Sequence, residues 1–175
     1  MSTLPTTLLD FADATPPRFQ PVDDRVMGGR SMSRMRTGDA GVGIFEGVLS
    51  PVHDGGFASV RANLESLDLS DGAGIVLRVR GDGRRYRVTL RNDRRMSGTN
   101  HQARLEPPAD DWAEVVIPFG DFRPRLRGRE VPDAAPLDPS RIRQVGFVIS
   151  DGQAGPFRLE VAWARGWDGK EPLPE

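Results

Sequence analysis

The close spacing of structure-breaking residues is the strongest constraint on how this chain can fold. Fifteen prolines and 20 glycines interrupt its 175 residues, which leaves little room for long helices. Between these breaks apolar and polar residues alternate, and a period of two is typical of β-strands. The pattern predicts an all-β fold, either an antiparallel β-sandwich or a barrel.

Seven segments show this alternation, and a further candidate strand lies outside that count near 8–11. The Asp82-Gly83 pair separates two of the seven and predicts a β-hairpin, because Asp-Gly favours tight hairpin turns. The proline- and arginine-rich stretch 123–139 is expected to form a long surface loop. The seven candidate strands cover 44–49, 57–61, 75–80, 85–91, 112–119, 144–150 and 157–163.

The composition excludes several classes of protein and site. The chain has no cysteine, so disulfides, thiol catalysis and thiolate metal sites are excluded. Its formal net charge of −1 provides no overall attraction to nucleic acid, and no nucleic-acid partner is expected. The sequence contains no apolar run of the roughly 18 residues that a transmembrane segment needs.

The length suits one domain. We expect a lead-in segment at 1–18, a single β-sandwich domain at 19–167 and a polar tail at 168–175. The first 20 residues resemble neither a secretory signal nor an arginine-rich transit peptide. This predicts a cytoplasmic protein.

Arginine supplies nearly all of the positive charge, because Lys170 is the single lysine among 24 basic residues. Strand parity predicts that most arginines of the hairpin share one outward face, joined by one arginine from a neighbouring strand. Such a face suits an acidic protein segment, a sugar acid or a phosphate group. The alternative is a solvated face whose arginines pair with Glu46, Glu114 and Glu160. The predicted partner-binding arginines are Arg61, Arg78, Arg80, Arg87 and Arg91.

The glycine-containing loop 24–31 is the second candidate partner-binding surface, and its predicted binding residues are Asp24, Met27, Gly28, Gly29 and Ser31. Gly28 and Gly29 permit backbone conformations closed to other residues, and their amides suit an anion or a peptide backbone. Met27 beside them offers an adaptable apolar contact. The alternative is a structural turn in which Asp24 and Ser31 hydrogen-bond the local backbone.

Catalytic and metal sites find little support in the sequence. His53 and His101 are the only histidines, and their separation disfavours a zinc site or a Ser-His-Asp triad. Several aspartates lie at predicted turns, where they commonly stabilise the backbone, and a calcium ion is the alternative. No resident cofactor is expected. The turn aspartates are Asp82, Asp93, Asp110, Asp111 and Asp151.

Three tryptophans are candidates for a platform on which a sugar ring stacks. Alternation places Trp163 in the core, Trp112 begins a strand, and Trp167 is expected to be exposed. Tyr86 is the only tyrosine and is predicted to point inward. These positions disfavour a carbohydrate site, since sugar binding usually requires exposed aromatic rings.

Six segments, in order, resemble motifs of the complex I intermediate-associated protein 30 (CIA30) family. Residues 24–31 resemble its Asp-x-Val-Met-Gly-Gly-x-Ser signature, and 80–86 contain its Gly-Asp-Gly-Arg-x-Tyr motif. Phe19 departs from the family, which often has tryptophan there. The matching segments are 23–31, 45–50, 55–61, 80–86, 112–122 and 142–159.

The resemblance implies a galactose-binding-like jelly roll, related in architecture to carbohydrate-binding modules. It also implies a role like that of the best-known members, which assist assembly of mitochondrial respiratory complex I. We therefore expect a non-catalytic protein-binding or assembly module, of bacterial origin, whose candidate partners are respiratory-complex subunits or assembly intermediates. A carbohydrate-binding module that takes a glycan or anionic ligand is one alternative, and a hydrolase with an unrecognised site is another.

Overall fold

A computed structural model describes residues 6–24, 30–50, 56–95, 98–126 and 129–170. Within these ranges thirteen strands form two antiparallel sheets, which confirms the predicted β-sandwich. The strands are β1 Thr7–Asp10, β2 Phe19–Pro21, β3 Met32–Thr37, β4 Gly43–Leu49, β5 Ala58–Leu67, β6 Gly74–Arg80, β7 Tyr86–Arg91, β8 Asn100–Leu105, β9 Trp112–Pro118, β10 Arg123–Leu126, β11 Arg129–Glu130, β12 Ile142–Ile149 and β13 Gly155–Trp167.

Sheet A has the strand order β3-β4-β13-β6-β9, and β1 pairs with the C-terminal part of β13. Sheet B has the order β11-β10-β8-β7-β12-β5-β2. A 3₁₀ turn, Phe119–Asp121, joins β9 to β10. The described part of the chain contains no helix long and apolar enough to cross a membrane.

Aromatic side chains from both sheets meet at the centre of the sandwich. Phe45 of β4 and Phe157 of β13 have ring centroids 5.0 Å apart, and Tyr86 of β7 approaches Phe45 at 6.2 Å. All three side chains are at most 3% exposed. Burying aromatic and aliphatic side chains against the opposite sheet is the main stabilising contribution in such a fold.

The predicted hairpin is wrong. Strand β6 hydrogen-bonds to β13 and β9 in sheet A, whereas β7 hydrogen-bonds to β12 and β8 in sheet B. The Asp82-Gly83 turn, with Gly83 at a φ of 87°, therefore carries the chain from one sheet to the other. A turn motif specifies the local backbone, but it does not specify which strands pair on either side of it.

The surface loop predicted at 123–139 is also wrong in part. It contributes β10 and β11 to an edge of sheet B, where β10 pairs with β8. The predicted strand near 8–11 is confirmed as β1, and its Leu8 and Leu9 are buried in the core. Part of the predicted lead-in segment therefore belongs to the sandwich. Strands β2, β3 and β8 were not predicted.

The carboxylate of Asp82 ties the two sheets together at this crossing. It accepts hydrogen bonds from the Tyr86 hydroxyl of sheet B at 2.9 Å and from the backbone amide of Arg158 in sheet A at 2.7 Å. It also accepts the amide of Arg84 within the turn, at 3.0 Å. One side chain thereby satisfies a buried hydroxyl and joins strands that share no ladder.

The guanidinium of Arg84 holds the turn between β12 and β13. Its Nε and Nη2 donate to the two oxygens of Asp151 at 2.9 and 2.6 Å, and its Nη1 donates to the carbonyls of Gly155 and Pro156. The side chains of Arg84 and Asp151 are 11% and 1% exposed. Burial alone would raise the pKa of Asp151, but the hydrogen bond and charge of Arg84, together with backbone amides of Gln153 and Arg85, outweigh it and lower that pKa.

We predict that Asp151→Asn lowers the free energy of unfolding by about 3 kcal/mol at neutral pH, because it leaves a largely buried guanidinium without its anion. Since folding lowers the pKa of Asp151, the stabilisation exists above the unfolded-state pKa and is lost as the pH falls through the folded-state value. The difference between wild type and variant should therefore shrink below about pH 4 in urea denaturation.

Asp39→Asn is the matched control, since Asp39 is exposed, and it should change stability by less than about 0.5 kcal/mol at every pH. A gap between wild type and Asp151→Asn that is equally large at pH 3 and pH 7 would show that the ion pair is not its source.

Candidate functional site

The outward face of sheet B carries a row of polar side chains in register across its strands. Arg87 of β7 lies opposite Arg104 of β8, and Gln102 of β8 lies between Thr89 and Arg123. These positions alternate with the inward residues of each strand, so their side chains share one face. The face is therefore arginine-rich over three adjacent strands.

Two cavities open on this face, with volumes of about 270 and 200 Å³. Arg87 and Arg104 line both, so the two cavities are adjacent. We call the five arginines that line them the arginine groove. These are Arg85, Arg87, Arg104, Arg123 and Arg125.

Positive charges crowd one another in the arginine groove. Burial lowers the pKa of Arg87, and the nearby charges of Arg125 and Arg104 lower it further. Arg125 lies 3.9 Å from Glu130 at the edge of the sheet. Over the described ranges, no carboxylate lies within 4 Å of the guanidiniums of Arg87, Arg104 or Arg123.

A glycine on β12 lets an arginine lie across the middle of this face. Gly146 pairs with Arg61 on one side and Thr89 on the other. A Cβ at Gly146 would lie 2.6 Å from Thr89 Oγ1 and 3.1 Å from Arg61 Cγ. Burial and the charge of Arg91 lower the pKa of Arg61 to about 10. The missing side chain thus makes room for a half-buried guanidinium beside the groove.

The structure separates the predicted partner-binding arginines into two groups. Arg61, Arg87 and Arg91 share the outward face of sheet B, and Arg91 donates to Asp93 at 3.1 Å. Arg78 and Arg80 lie on the outward face of sheet A, on the other side of the sandwich. The prediction of one shared hairpin face is wrong because the chain changes sheets between β6 and β7.

On the outward face of sheet A, Arg78 and Arg80 already contact other side chains of the protein. Arg80 is hydrogen-bonded to Glu160, and its guanidinium lies 5.2 Å from the centroid of the Trp112 ring. The guanidinium of Arg78 lies 5.6 Å from the same centroid. For Arg80 the glutamate-pairing alternative therefore describes the contact that is present.

The placement of Trp163 in the core is wrong. A β-bulge between Val161 and Trp163 shifts the register of β13 and reverses its parity. Ala164 is buried as a result. The Trp163 ring lies on the outward face, and the guanidinium of Arg165 is 4.0 Å from the centroid of that ring. Trp167 is half-buried, and its indole donates to the carbonyl of Lys170 at 2.7 Å.

Asp24 and Ser31 of the glycine-containing loop are buried and hydrogen-bonded within the chain. Asp24 accepts the amide of Ser31 at 2.9 Å, its hydroxyl at 2.8 Å, and the amide of Phe57 at 3.1 Å. These contacts match the structural alternative for Asp24 and Ser31. Met27, Gly28 and Gly29 lie outside the described residues, and a binding role for this loop stays a prediction.

A second carboxylate reinforces this loop. Asp23 accepts hydrogen bonds from Ser33 of β3 and from the amide of Ser59 in β5, at 3.1 Å in the latter case. It therefore joins sheet A to sheet B, as Asp82 does elsewhere. Burial raises the pKa of Asp23, although the bonds from Ser33 and Ser59 oppose the shift.

The histidine and aspartate candidates have structural contacts. The Nε2 of His101 lies 2.9 Å from the carbonyl of Ala135, while His53 is outside the described residues. The carboxylates of Asp82 and Asp151 hold the turns already described. Across the described ranges, no three histidine, aspartate or glutamate side chains are close enough to hold a metal ion.

The predicted partner-binding set lacks four arginines of the groove, Arg85, Arg104, Arg123 and Arg125. Strand β8 was not predicted, although buried Ala103 and Leu105 alternate with Gln102 and Arg104. That short alternation was the available signal. The arginines of β10 lie in a proline-containing stretch whose composition predicts a loop rather than a strand.

The sequence matches the model of one protein family, "Complex I intermediate-associated protein 30 (CIA30)", over residues 9–161. The protein belongs to the CIA30 family. The resemblance noted from six motifs is therefore confirmed. The match spans most of both sheets and extends from β1 into β13.

Similar curated proteins include CIA30 homologues from animals and a fungal protein. The mitochondrial CIA30 of Mus musculus is 36% identical over 100 residues, which is 55% of this chain and 30% of that protein. The Drosophila melanogaster homologue is 27% identical over 154 residues, 76% of this chain and 52% of that protein. An uncharacterised Schizosaccharomyces pombe protein is 30% identical over 161 residues, 81% and 74% of the two chains.

This CIA30-family chain spans less than two thirds of the length of the mouse and fly relatives. Both relatives are named as mitochondrial proteins, which contradicts the predicted cytoplasmic location. These relatives are also eukaryotic, and the expectation of a bacterial origin finds no support in them.

Solved structures confirm the expected relation to carbohydrate-binding modules at the level of fold. The family 11 module of the Clostridium thermocellum cellulase Lic26A-Cel5E superposes with a TM-score of 0.67, at 18% identity over 99% of this chain and 100% of the module. A family 30 carbohydrate-binding module superposes with a TM-score of 0.60, at 14% identity over 98% and 92% of the two chains.

We predict that Gly146→Ala lowers the free energy of unfolding by about 1–3 kcal/mol, because its methyl group would overlap Thr89 and displace Arg61. The measurement is urea denaturation. Gly120→Ala is the matched control, since no atom lies within 4 Å of the added Cβ, and it should be neutral or slightly stabilising. Equal stability of the two variants would contradict the close packing around Gly146.

Proposed function

We propose that this CIA30-family domain is a non-catalytic protein-binding module of an assembly factor, and that the arginine groove is its partner-binding surface. The observation that carries the proposal is the crowding of Arg87, Arg104 and Arg123 without a carboxylate within 4 Å over the described ranges. A partner that supplies anions would relieve this repulsion.

The contrast between the two faces of the sandwich supports this choice. On sheet A, Glu46 pairs with Arg34 at 2.8 Å and Arg36 at 3.1 Å, and Glu160 pairs with Arg80 and Arg158. The carboxylates of that face already pair with four of its arginines, Arg34, Arg36, Arg80 and Arg158. On sheet B the guanidiniums line a depression, where planar bidentate contacts with a partner's carboxylates are available.

The names of the relatives support a partner connected with respiratory complex I. The mouse and fly homologues are called complex I intermediate-associated proteins. We propose the same class of partner here, namely respiratory-complex subunits or assembly intermediates, and a mitochondrial site of action.

Carbohydrate binding is less well supported. One of the similar modules was solved with a β-1,3-1,4-mixed-linked tetrasaccharide, but its 18% identity relates the fold alone. Arginines dominate the lining of the arginine groove, and among the described residues that line its cavities the one aromatic side chain, Tyr86, is 1% exposed. The Trp112 and Trp163 rings lie on sheet A with guanidiniums over them.

The test is affinity purification of the tagged protein from its own host, with the co-purifying proteins identified by mass spectrometry. Wild type should recover respiratory-complex subunits or intermediates. The variant Arg104→Glu/Arg123→Glu should lose at least nine tenths of this recovery, because both side chains are exposed in the arginine groove.

Arg78→Glu/Arg165→Glu is the matched control, since it makes the same change in charge on the opposite sheet. It should retain the recovery of wild type, and a cooperative melting transition should show that each of the three proteins is folded. Loss of recovery in the sheet A variant alone would reject the arginine groove. Recovery of no respiratory-complex protein, together with selective micromolar binding on a glycan array, would favour the carbohydrate alternative.

A further inference from the structure

The arginine groove carries an excess of positive charge. Its two cavities, of about 270 and 200 Å³, share Arg87 and Arg104 in their linings. Four acidic residues of the described ranges also line them, but two of these are already paired. Asp151 is bound to Arg84, and Glu130 lies 3.9 Å from Arg125. Asp121 and Glu106 remain to balance the other arginines.

The spacing of these arginines follows the period of an extended chain. Arg85 and Arg87 alternate along β7, and Arg123 and Arg125 alternate along β10. Alternate residues of a strand are separated by about 6.5–7 Å. A ligand in an extended conformation presents every second side chain at this same spacing, so its side chains match the rows of guanidiniums.

The volumes of the cavities indicate groups of side-chain size. Each is smaller than the roughly 300–1,000 Å³ of a pocket that encloses a drug-sized molecule. Their guanidinium linings favour carboxylates, which accept two parallel N–H bonds from one arginine. The like-charged pair Arg87 and Arg104, directly opposed on adjacent strands, would be stabilised by an anion between them.

We infer that the arginine groove binds an extended acidic segment of a partner protein, with carboxylates at alternating positions. This inference rests on the proposed function, because it names the chemistry of the partner that the assembly module recognises. Binding should be electrostatic and should weaken as salt screens the exposed guanidiniums.

The probes are three fluorescein-labelled hexapeptides, measured by fluorescence anisotropy with the purified protein. One alternates glutamate with threonine, one alternates glutamine with threonine, and one has three glutamates followed by three threonines. The alternating glutamate peptide should bind at least tenfold more tightly than either of the others. Raising the salt concentration from 20 to about 300 mM should weaken its binding at least tenfold.

Arg104→Gln/Arg123→Gln should reduce the affinity at least tenfold, whereas Arg78→Gln/Arg165→Gln, which changes the net charge equally, should leave it within a factor of two. Equal binding of the alternating and blocked peptides would overturn the extended conformation. Equal binding to both double variants would overturn the site. Inorganic phosphate that displaces the peptide completely at micromolar concentration would instead indicate a small-anion site and reject the inference.

The two proposals fail in different ways. If no peptide binds while the arginine groove still governs recovery of respiratory-complex proteins, the assembly function stands and the acidic segment is rejected. If the peptide binds through the arginine groove but no respiratory-complex protein is recovered, the recognition chemistry stands and the assembly function is rejected.

Discussion

The sandwich depends on the contacts that the Asp82 carboxylate makes with both sheets. They lie at the turn where the chain passes from sheet A to sheet B. The bonds of this carboxylate to Tyr86 and to the amide of Arg158 join the sheets around the aromatic centre. Asp23 makes a comparable link between β3 and β5. Partly buried carboxylates that satisfy amides and hydroxyls of both sheets supply directed contacts that apolar packing lacks.

The same crossing determines where the charges lie. It places Arg78 and Arg80 on sheet A, beside Glu160 and Trp112, and it places Arg87 on sheet B among other arginines. The formal net charge is −1, yet the two faces differ. On sheet A glutamates pair with several arginines, whereas on sheet B arginines line a positively charged groove. Local charge distribution, rather than net charge, therefore carries the functional argument.

Membership of the CIA30 family and a fold shared with carbohydrate-binding modules are compatible, because a sandwich fold does not by itself define a ligand. Sugar recognition needs accessible ring faces, whereas this groove is lined by guanidiniums. A surface of this kind favours carboxylates. Gly146 contributes by leaving space for Arg61, so a residue without a side chain helps to shape the charged face.

Much of this protein was determined by the sequence alone. Proline and glycine spacing with two-residue alternation predicted most strands, and six motifs identified the family, because strand periodicity and turn chemistry are local properties. Only the tertiary structure decided which strands share a sheet, since hydrogen-bonded pairing depends on residues far apart in the chain. The bulge that turns Trp163 outward and the convergence of Arg87, Arg104 and Arg123 are consequences of that pairing. For this reason the alternation of side chains within one presumed hairpin could not predict the arginine groove.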